Sequence, residues 1–243
     1  MQYRNYVLGI LLFMKIGTAY ASKDQMPYLT GTNMNPSYST KAINALNIKC
    51  YNARADYWDR MPFASFLPAE ILLKHNPTAG MHALDIGSGT GMLAEWLVKQ
   101  GFAVTCIDPA EEMVMRCKAK GLDIVQTTIQ EFSCDKKFGL IIAVLSLIHV
   151  PKCEISTQLK HISEWLNPSG TFVLALIAGN GEGVGEKNSG YPRYFSYYTR
   201  QEVLDLTQSD FNCLFERCID ANTSIPYMIF IFQKKELKQK DAI

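Results

Sequence analysis

The run Asp85-Ile86-Gly87-Ser88-Gly89-Thr90-Gly91 is the part of this chain best suited to meeting a ligand. It lies between a short apolar run, His82 to Ile86, and a stretch from Met92 to Lys99 that sets Leu93, Trp96 and Leu97 on one helical side. Glycines at such a junction let the chain turn tightly and let a ligand approach the backbone with no Cβ in the way. The helix beyond offers unpaired amide donors at its N-terminus. Asp108 closes the next apolar run, Ala103 to Ile107. A carboxylate offers acceptors only, so at the carboxyl end of a strand it can take both ribose hydroxyls of an adenosine-containing ligand. The glycine spacing argues against a nicotinamide-nucleotide fingerprint, whose third glycine would fall at Met92. A phosphate-binding NTPase loop is excluded because no Gly-Lys-Ser/Thr follows.

These residues need a scaffold, and the rest of the chain describes one. Ile43, Leu46, Cys50, Ala53 and Tyr57 recur at helical spacing behind Ser39, a candidate cap, and Pro62 and Pro68 break the pattern before a short helix expected over Ala69 to Lys74. Pro109 marks a helix start, and Glu111 to Lys120 reads as that helix, closed by Gly121. Asp123 to Gln126 is a third strand. Phe138 to Leu145 is nearly all apolar, as in a strand covered on both faces. Ile155, Leu159, Ile162 and Leu166 mark a helix, Asn167 to Gly170 a turn, and Thr171 to Ala178 a fifth strand. A helix over Thr199 to Thr207 and strands over Leu214 to Ile219 and Tyr227 to Gln233 complete the chain, the last two as a hairpin-like pair. Alternating strands and helices of this kind predict an α/β fold with a doubly wound, mostly parallel sheet and helices on both faces.

Composition narrows the function. Lys plus Arg is 24 against 23 for Asp plus Glu, a formal net charge of +1. That balance gives no support to a nucleic-acid binder or a basic peripheral membrane protein working by bulk charge. Seven cysteines, odd in number and without a C-x-x-C pair, read as reduced and partly buried. Four histidines leave little for a zinc site, so no metal is expected. Residues 1–35 read as an N-terminal extension and linker. Arg4, the apolar Tyr6 to Met14 and Ala19-Tyr20-Ala21 have a signal-like form, yet that run is too short to span a bilayer, so no stable membrane insertion is expected. An over-extended start, with Met26 or Met34 as the true beginning, and an N-terminal helix packed on the domain are the alternatives.

With these motifs in their order, the stretch from Tyr51 to Lys234 resembles the class I S-adenosylmethionine-dependent methyltransferase family. The likeness rests on Asp85 through Gly91, Asp108, the Phe138 to His149 strand region and the Leu166-Asn167-Pro168-Ser169-Gly170 turn. It implies a Rossmann-like seven-stranded sheet of order 3-2-1-4-5-7-6 with the last strand antiparallel, residues 36–243 forming the domain. It also implies S-adenosyl-L-methionine as cofactor. Asp85, Gly87, Ser88, Gly89 and Gly91 would hold its methionine part and Asp108, followed by Pro109, its ribose; Met113, Thr128, Ile129 and Gln130 would flank adenine. Thr128 and Gly139 stand where many relatives carry an acid. The first helix often covers the cofactor in this family, which makes Tyr51, Tyr57 and Trp58 candidates for a cover. The cofactor is made inside cells, which points to the cytoplasm, with export left open by residues 1–21.

Methyl transfer from a sulfonium needs alignment in a dry pocket and a base only where the acceptor is protonated. His149, just past the fourth strand, is the candidate base; it can equally cap the turn that follows. Five glycines between Gly179 and Gly190 precede Tyr191, Arg193, Tyr194, Tyr197 and Tyr198, a composition that suits a substrate lid. Similar Tyr-Phe-x-Tyr-Tyr segments follow strand five in small-molecule methyltransferases of this broad family, and Arg193 is placed to pair with an acidic substrate group. No basic stripe interleaves with these rings, which argues against nucleic acid. Ser146-Leu147-Ile148-His149 replaces the Asn/Asp-Pro-Pro-Tyr/Phe motif of amino-directed transferases. The expectation is methylation of a small molecule; the alternative is a catalytically inactive methyltransferase-like domain that binds proteins. Acceptor atom and oligomeric state are not encoded in these motifs.

Overall fold

The computed structural model describes residues 29–30, 38–60, 81–185, 190–219 and 226–236. The signal-like segment and the helix expected over Ala69 to Lys74 lie outside them. Strand β1 (Leu29–Thr30) is followed by helices α1 (Thr40–Ala53) and α2 (Ala55–Asp59), then β2 (His82–Ile86), α3 (Met92–Lys99), β3 (Ala103–Asp108), α4 (Glu111–Ala119) and β4 (Asp123–Gln126). Next come β5 (Phe138–Val144), a short 3-10 turn (Leu147–His149), α5 (Lys152–Trp165) and β6 (Leu166–Ile177). The chain continues through β7 (Gly179–Asn180), β8 (Glu182–Gly185), β9 (Arg193–Ser196), α6 (Arg200–Thr207), β10 (Phe211–Ile219) and β11 (Tyr227–Lys234).

Seven strands form the main sheet in the order β4-β3-β2-β5-β6-β11-β10. Counted along the chain as the seven principal strands, this is the expected 3-2-1-4-5-7-6. β4, β3, β2, β5 and β6 run parallel, whereas β11 is antiparallel to both β6 and β10. Alternation along each strand fills two cores. Leu84, Ile86, Ile141, Phe172, Leu174, Phe230 and Phe232 pack on the side of α5 and α6 with Ile155, Leu159 and Val203. Ala83, Leu140, Ile142, Val173, Ala175 and Ile231 pack on the other side with Leu93, Ala94 and Leu97 of α3. Both faces of the central strands are thus covered, which explains their continuous apolar runs.

Three expectations change. The helical face drawn through to Tyr57 ends early: Arg54, at φ −123° and ψ 20°, separates α1 from α2. Tyr57 therefore turns outward and is 41% exposed, while Tyr51 and Trp58 pack inward on Ala55, Ala110 and Met113. The Asn167 to Gly170 turn sits inside β6 rather than before it. Leu166 pairs with Phe138 and Thr171 with Leu140, and the turn, with Ser169 at φ +58°, bulges between them. The glycine and aromatic stretch expected as a lid is instead largely structured. β8 and β9 form an antiparallel hairpin, and β1 pairs in parallel with β7.

Candidate functional site

The strand order reverses at β2, whose neighbours β3 and β5 are reached by crossovers in opposite directions. The carboxyl ends of β2, β3 and β5 consequently border one crevice, the place where ligands enter open α/β sheets. Gly87 and Ser88 cap it from below, their amides donating to the Ile107 carbonyl at 2.8 and 3.1 Å. Gly87 has φ +69°, and a Cβ there would meet the Ser146 Cβ at 2.4 Å, so the turn passes tightly under the end of β5. Gly89, at φ +56°, has open space where a Cβ would stand. The Gly89 carbonyl accepts the Cys117 thiol at 3.3 Å, and Gly91 begins α3.

Two buried carboxyl groups face this turn. Asp108 accepts the Gly89 amide on Oδ2 and the Ala110 amide on Oδ1, both at 2.9 Å. Each oxygen keeps a further acceptor position. Burial pushes its pKa up to about 6, although these two amides pull the other way. Asp85, 3% exposed, leaves Oδ2 with no partner. Burial, and then the neighbouring Asp108 charge, push Asp85 up to about 7. Two carboxyl groups that repel one another, one with a bare oxygen, favour a cationic ligand between or beside them.

On the far side, α1 brings Tyr51 to His149. The Tyr51 hydroxyl lies 2.7 Å from Nε2, and Nδ1 lies 2.7 Å from the Tyr194 carbonyl. A carbonyl accepts only, so Nδ1 carries the proton and Nε2 accepts from the tyrosine. Burial, reinforced by the nearby Arg193 charge, drives the His149 pKa down to about 4 against the Tyr194 hydrogen bond. His149 is thus a neutral imidazole with its lone pair turned toward the tyrosine. Burial also raises the Tyr51 pKa, with Arg193 opposing it.

The remaining sequence candidates fall into place around this frame. Met113 is buried beneath Tyr51 and Trp58, and the Pro109 carbonyl accepts from Gln126 Nε2 at 3.4 Å. Ile129 belongs to the core, Thr128 Oγ1 donates to Glu131 at 3.2 Å, and Gln130 Nε2 to Glu154 at 3.2 Å. Glu131 thus supplies an acid three residues after the position where one was missed. Tyr197 and Tyr198 lie in the main core and Tyr194 is fully buried, its hydroxyl donating to Glu182. Tyr191 is half-buried, and Arg193 is buried with its Nη1 3.4 Å from the Tyr51 hydroxyl. Sequence reasoning missed Asn47, whose Oδ1 accepts the Tyr194 amide at 2.9 Å, and the half-buried Ser146, which packs against the glycine turn with its hydroxyl buried and unpartnered. The polar Asn47 on the buried side of α1 was the available signal.

Comparisons with known proteins agree with this frame. A family model described as a methyltransferase domain matches residues 83–170. The ubiquinone biosynthesis O-methyltransferase of Paramagnetospirillum magneticum is 32% identical over 107 residues, 42% of each chain. The protein of the same name from Rickettsia conorii is 30% identical over 132 residues, 51% of this chain and 44% of that one. The matched part therefore spans less than half the length of these curated relatives. Among solved structures, Burkholderia thailandensis 1,6-didemethyltoxoflavin-N1-methyltransferase, with bound 1,6-didemethyltoxoflavin and S-adenosylhomocysteine, superposes with a TM-score of 0.67. It is 18% identical, with 86% of this chain and 94% of that one covered, a likeness of fold. Among the described residues no helix is long and apolar enough to cross a membrane.

Proposed function

We propose that this chain, whose residues 83–170 match a methyltransferase domain and whose sheet has the order described above, is a class I S-adenosylmethionine-dependent methyltransferase that methylates a small molecule with S-adenosyl-L-methionine. The observation that carries this reading is the pair of neighbouring buried carboxyl groups, Asp85 and Asp108, with Asp108 holding the amide of Gly89. A bare, buried carboxylate oxygen suits the cofactor's ammonium group, and the spare acceptor positions of Asp108 suit ribose hydroxyls. Gly87, Ser88 and Gly91 shape the turn around the methionine part. Pro109, Met113, Thr128, Ile129 and Gln130 border the adenine side. Residues 36–243 constitute the methyltransferase domain, 1–35 an extension, and the cytoplasm is where this cofactor is made.

A bound cofactor would supply a methyl group on a sulfonium to an acceptor heteroatom, and the acceptor's proton would have to go elsewhere. His149 and Tyr51 take that proton. The acceptor hydroxyl donates to the Tyr51 oxygen while the Tyr51 proton passes to His149 Nε2; at a pKa of about 4 that ring is a weak base, but it suffices for an oxygen made strongly acidic by the incoming methyl group. Tyr194 holds the ring in the tautomer this requires. Tyr51 and Trp58 exclude water above Met113. The O-methyltransferase names of the two curated relatives favour an oxygen acceptor.

Calorimetric titration of the intact chain with S-adenosylmethionine, S-adenosylhomocysteine and NAD tests the reading. Binding of the first two, weak binding of NAD and loss of signal in Asp108→Ala are expected. Failure of a folded chain to bind either adenosyl compound would overturn the enzyme reading in favour of a partner-binding domain.

A further inference from the structure

Arg193 is a buried cation without a counter-charge among the described residues. It stands on β9, 7% exposed, and no carboxylate among the described residues lies within salt-bridge distance of its guanidinium. Buried charges in proteins are ordinarily paired, because leaving water without compensation is expensive. Rings supply part of what is missing: the guanidinium carbon lies 4.9 Å from the Phe195 centroid, 5.4 Å from Trp58 and 5.5 Å from Tyr51. Ring faces satisfy charge but leave Nε of Arg193 with no acceptor.

Two further buried donors in the same wall are also unmatched. They are Nε1 of Trp58, whose ring the guanidinium covers, and Nδ2 of Asn47. The orientation of Asn47 follows from its partner: Oδ1 accepts the amide of Tyr194, next to Arg193, so the free side is the NH2 group. All three orphans are donors. A group that only accepts, and carries negative charge, would complete them; a neutral amide would not. Arg193 Nη1 also donates to the Tyr51 hydroxyl at 3.4 Å, which ties this donor set to the tyrosine–histidine pair.

We propose that Arg193, with Trp58 and Asn47, forms an oxyanion site for the methyl acceptor, which is a small aromatic compound bearing a carboxylate or equivalent anionic oxygen. This rests on the methyltransferase reading. The aromatic walls Tyr51, Trp58 and Phe195 match a flat acceptor. The proximity to Tyr51 and His149 places the anionic group beside the hydroxyl that loses its proton. The other carboxylate that could fill the site is the cofactor's own, and the two are separable.

The test is calorimetric titration of the intact chain, with and without S-adenosylhomocysteine, using benzoate and its neutral counterpart benzamide as probes. Wild type should bind benzoate at least tenfold tighter than benzamide. Arg193→Gln should abolish that preference while leaving S-adenosylhomocysteine affinity within about twofold. Trp58→Phe, which keeps the ring and removes one donor, should weaken benzoate severalfold and serves if Arg193→Gln does not fold. Equal affinity for the two probes overturns the proposal. So does an Arg193→Gln variant that loses S-adenosylhomocysteine but keeps 5′-methylthioadenosine, because the site then belongs to the cofactor carboxylate. A chain that ignores S-adenosylhomocysteine yet discriminates benzoate through Arg193 would keep the anion site and sink the methyltransferase reading instead.

Discussion

The Tyr51 hydroxyl and His149 Nε2 stand 2.7 Å apart although the two residues come from a helix at the front of the domain and a turn after β5. The Tyr194 carbonyl on the other ring nitrogen makes this pair directional, from tyrosine to histidine. His149→Gln and Tyr51→Phe should each lower kcat by about a hundredfold, within the usual range for a positioned acid–base group. The KM for S-adenosylmethionine should change little. The pH profile carries a second check. A histidine held near 4 stays neutral through pH 6 to 8, so kcat should show no histidine-like acid limb near 6.5. Steady-state kinetics across that range measures both; an acid limb at 6.5 would mean that His149 is not buried during turnover.

Asp85 and Asp108 predict how the cofactor couples to protons. Both carboxyl groups are raised, to about 7 and about 6, so the ligand-free fold favours their protonated forms. The stability they contribute is complete below 3.8 and is lost as pH rises through 6 and 7. His149 acts in the opposite sense and mostly below 6.5, leaving pH 6.5 to 8 to report on the aspartates. Thermal melts of the ligand-free chain should therefore fall over that window, and less steeply in Asp85→Asn. Binding of a cationic cofactor favours the ionised carboxylates. It should tighten with pH and release protons near pH 6.5, measurable as a dependence of binding heat on buffer ionisation enthalpy. Asp108→Asn should weaken binding about tenfold or more, as the loss of one charge-assisted hydrogen bond implies.

Much of the architecture was legible because its signals are local. The continuous apolar runs of β5 and β6, the glycine turn between β2 and α3, and the two-fold periods of β10 and β11 in close succession together dictate the sheet. The candidate site draws on the same places: Asp85, Gly87, Gly89 and Asp108 stand out in the sequence by type and spacing, and the structure gathers them at the carboxyl ends of β2 and β3. What escaped depends on contacts between distant segments. Nothing near Asn47 in the chain says that its amide will meet Tyr194, and nothing near Tyr51 says that it will meet His149. The aromatic run after Gly190 carries no local sign of its burial, because Tyr197 and Tyr198 pack into the core against distant segments.

Thr199 offers a stability prediction away from the site. Its hydroxyl accepts the Glu202 amide at 3.2 Å while the Glu202 side chain accepts the Thr199 amide at 2.7 Å, a reciprocal cap on α6. Lys152 adds an ion pair to Glu202 at 2.7 Å and so links α5 to that cap. Thr199→Ala should cost about 1 kcal/mol. For a domain of this size that lowers the melting temperature by roughly 2–4 °C. Cofactor affinity should be unchanged, and calorimetric melting beside a cofactor titration checks both halves.

Gly87 and Gly89 separate folding from binding within one turn. Both have positive φ, +69° and +56°, so alanine at either position carries a backbone penalty of roughly 1–2 kcal/mol. Beyond that they differ. A methyl at position 87 would drive into the Ser146 Cβ, 2.4 Å away, and must push the glycine turn from the end of β5. A methyl at position 89 meets nothing within 4 Å and projects into open space, on a residue whose amide Asp108 holds. Gly87→Ala should therefore reduce melting temperature markedly more than Gly89→Ala. Gly89→Ala should remain folded yet lose S-adenosylhomocysteine affinity by tenfold or more. A Gly89→Ala chain that binds normally would show that the open face of the turn is not where the cofactor rests, and would move the binding surface away from the carboxyl end of β2.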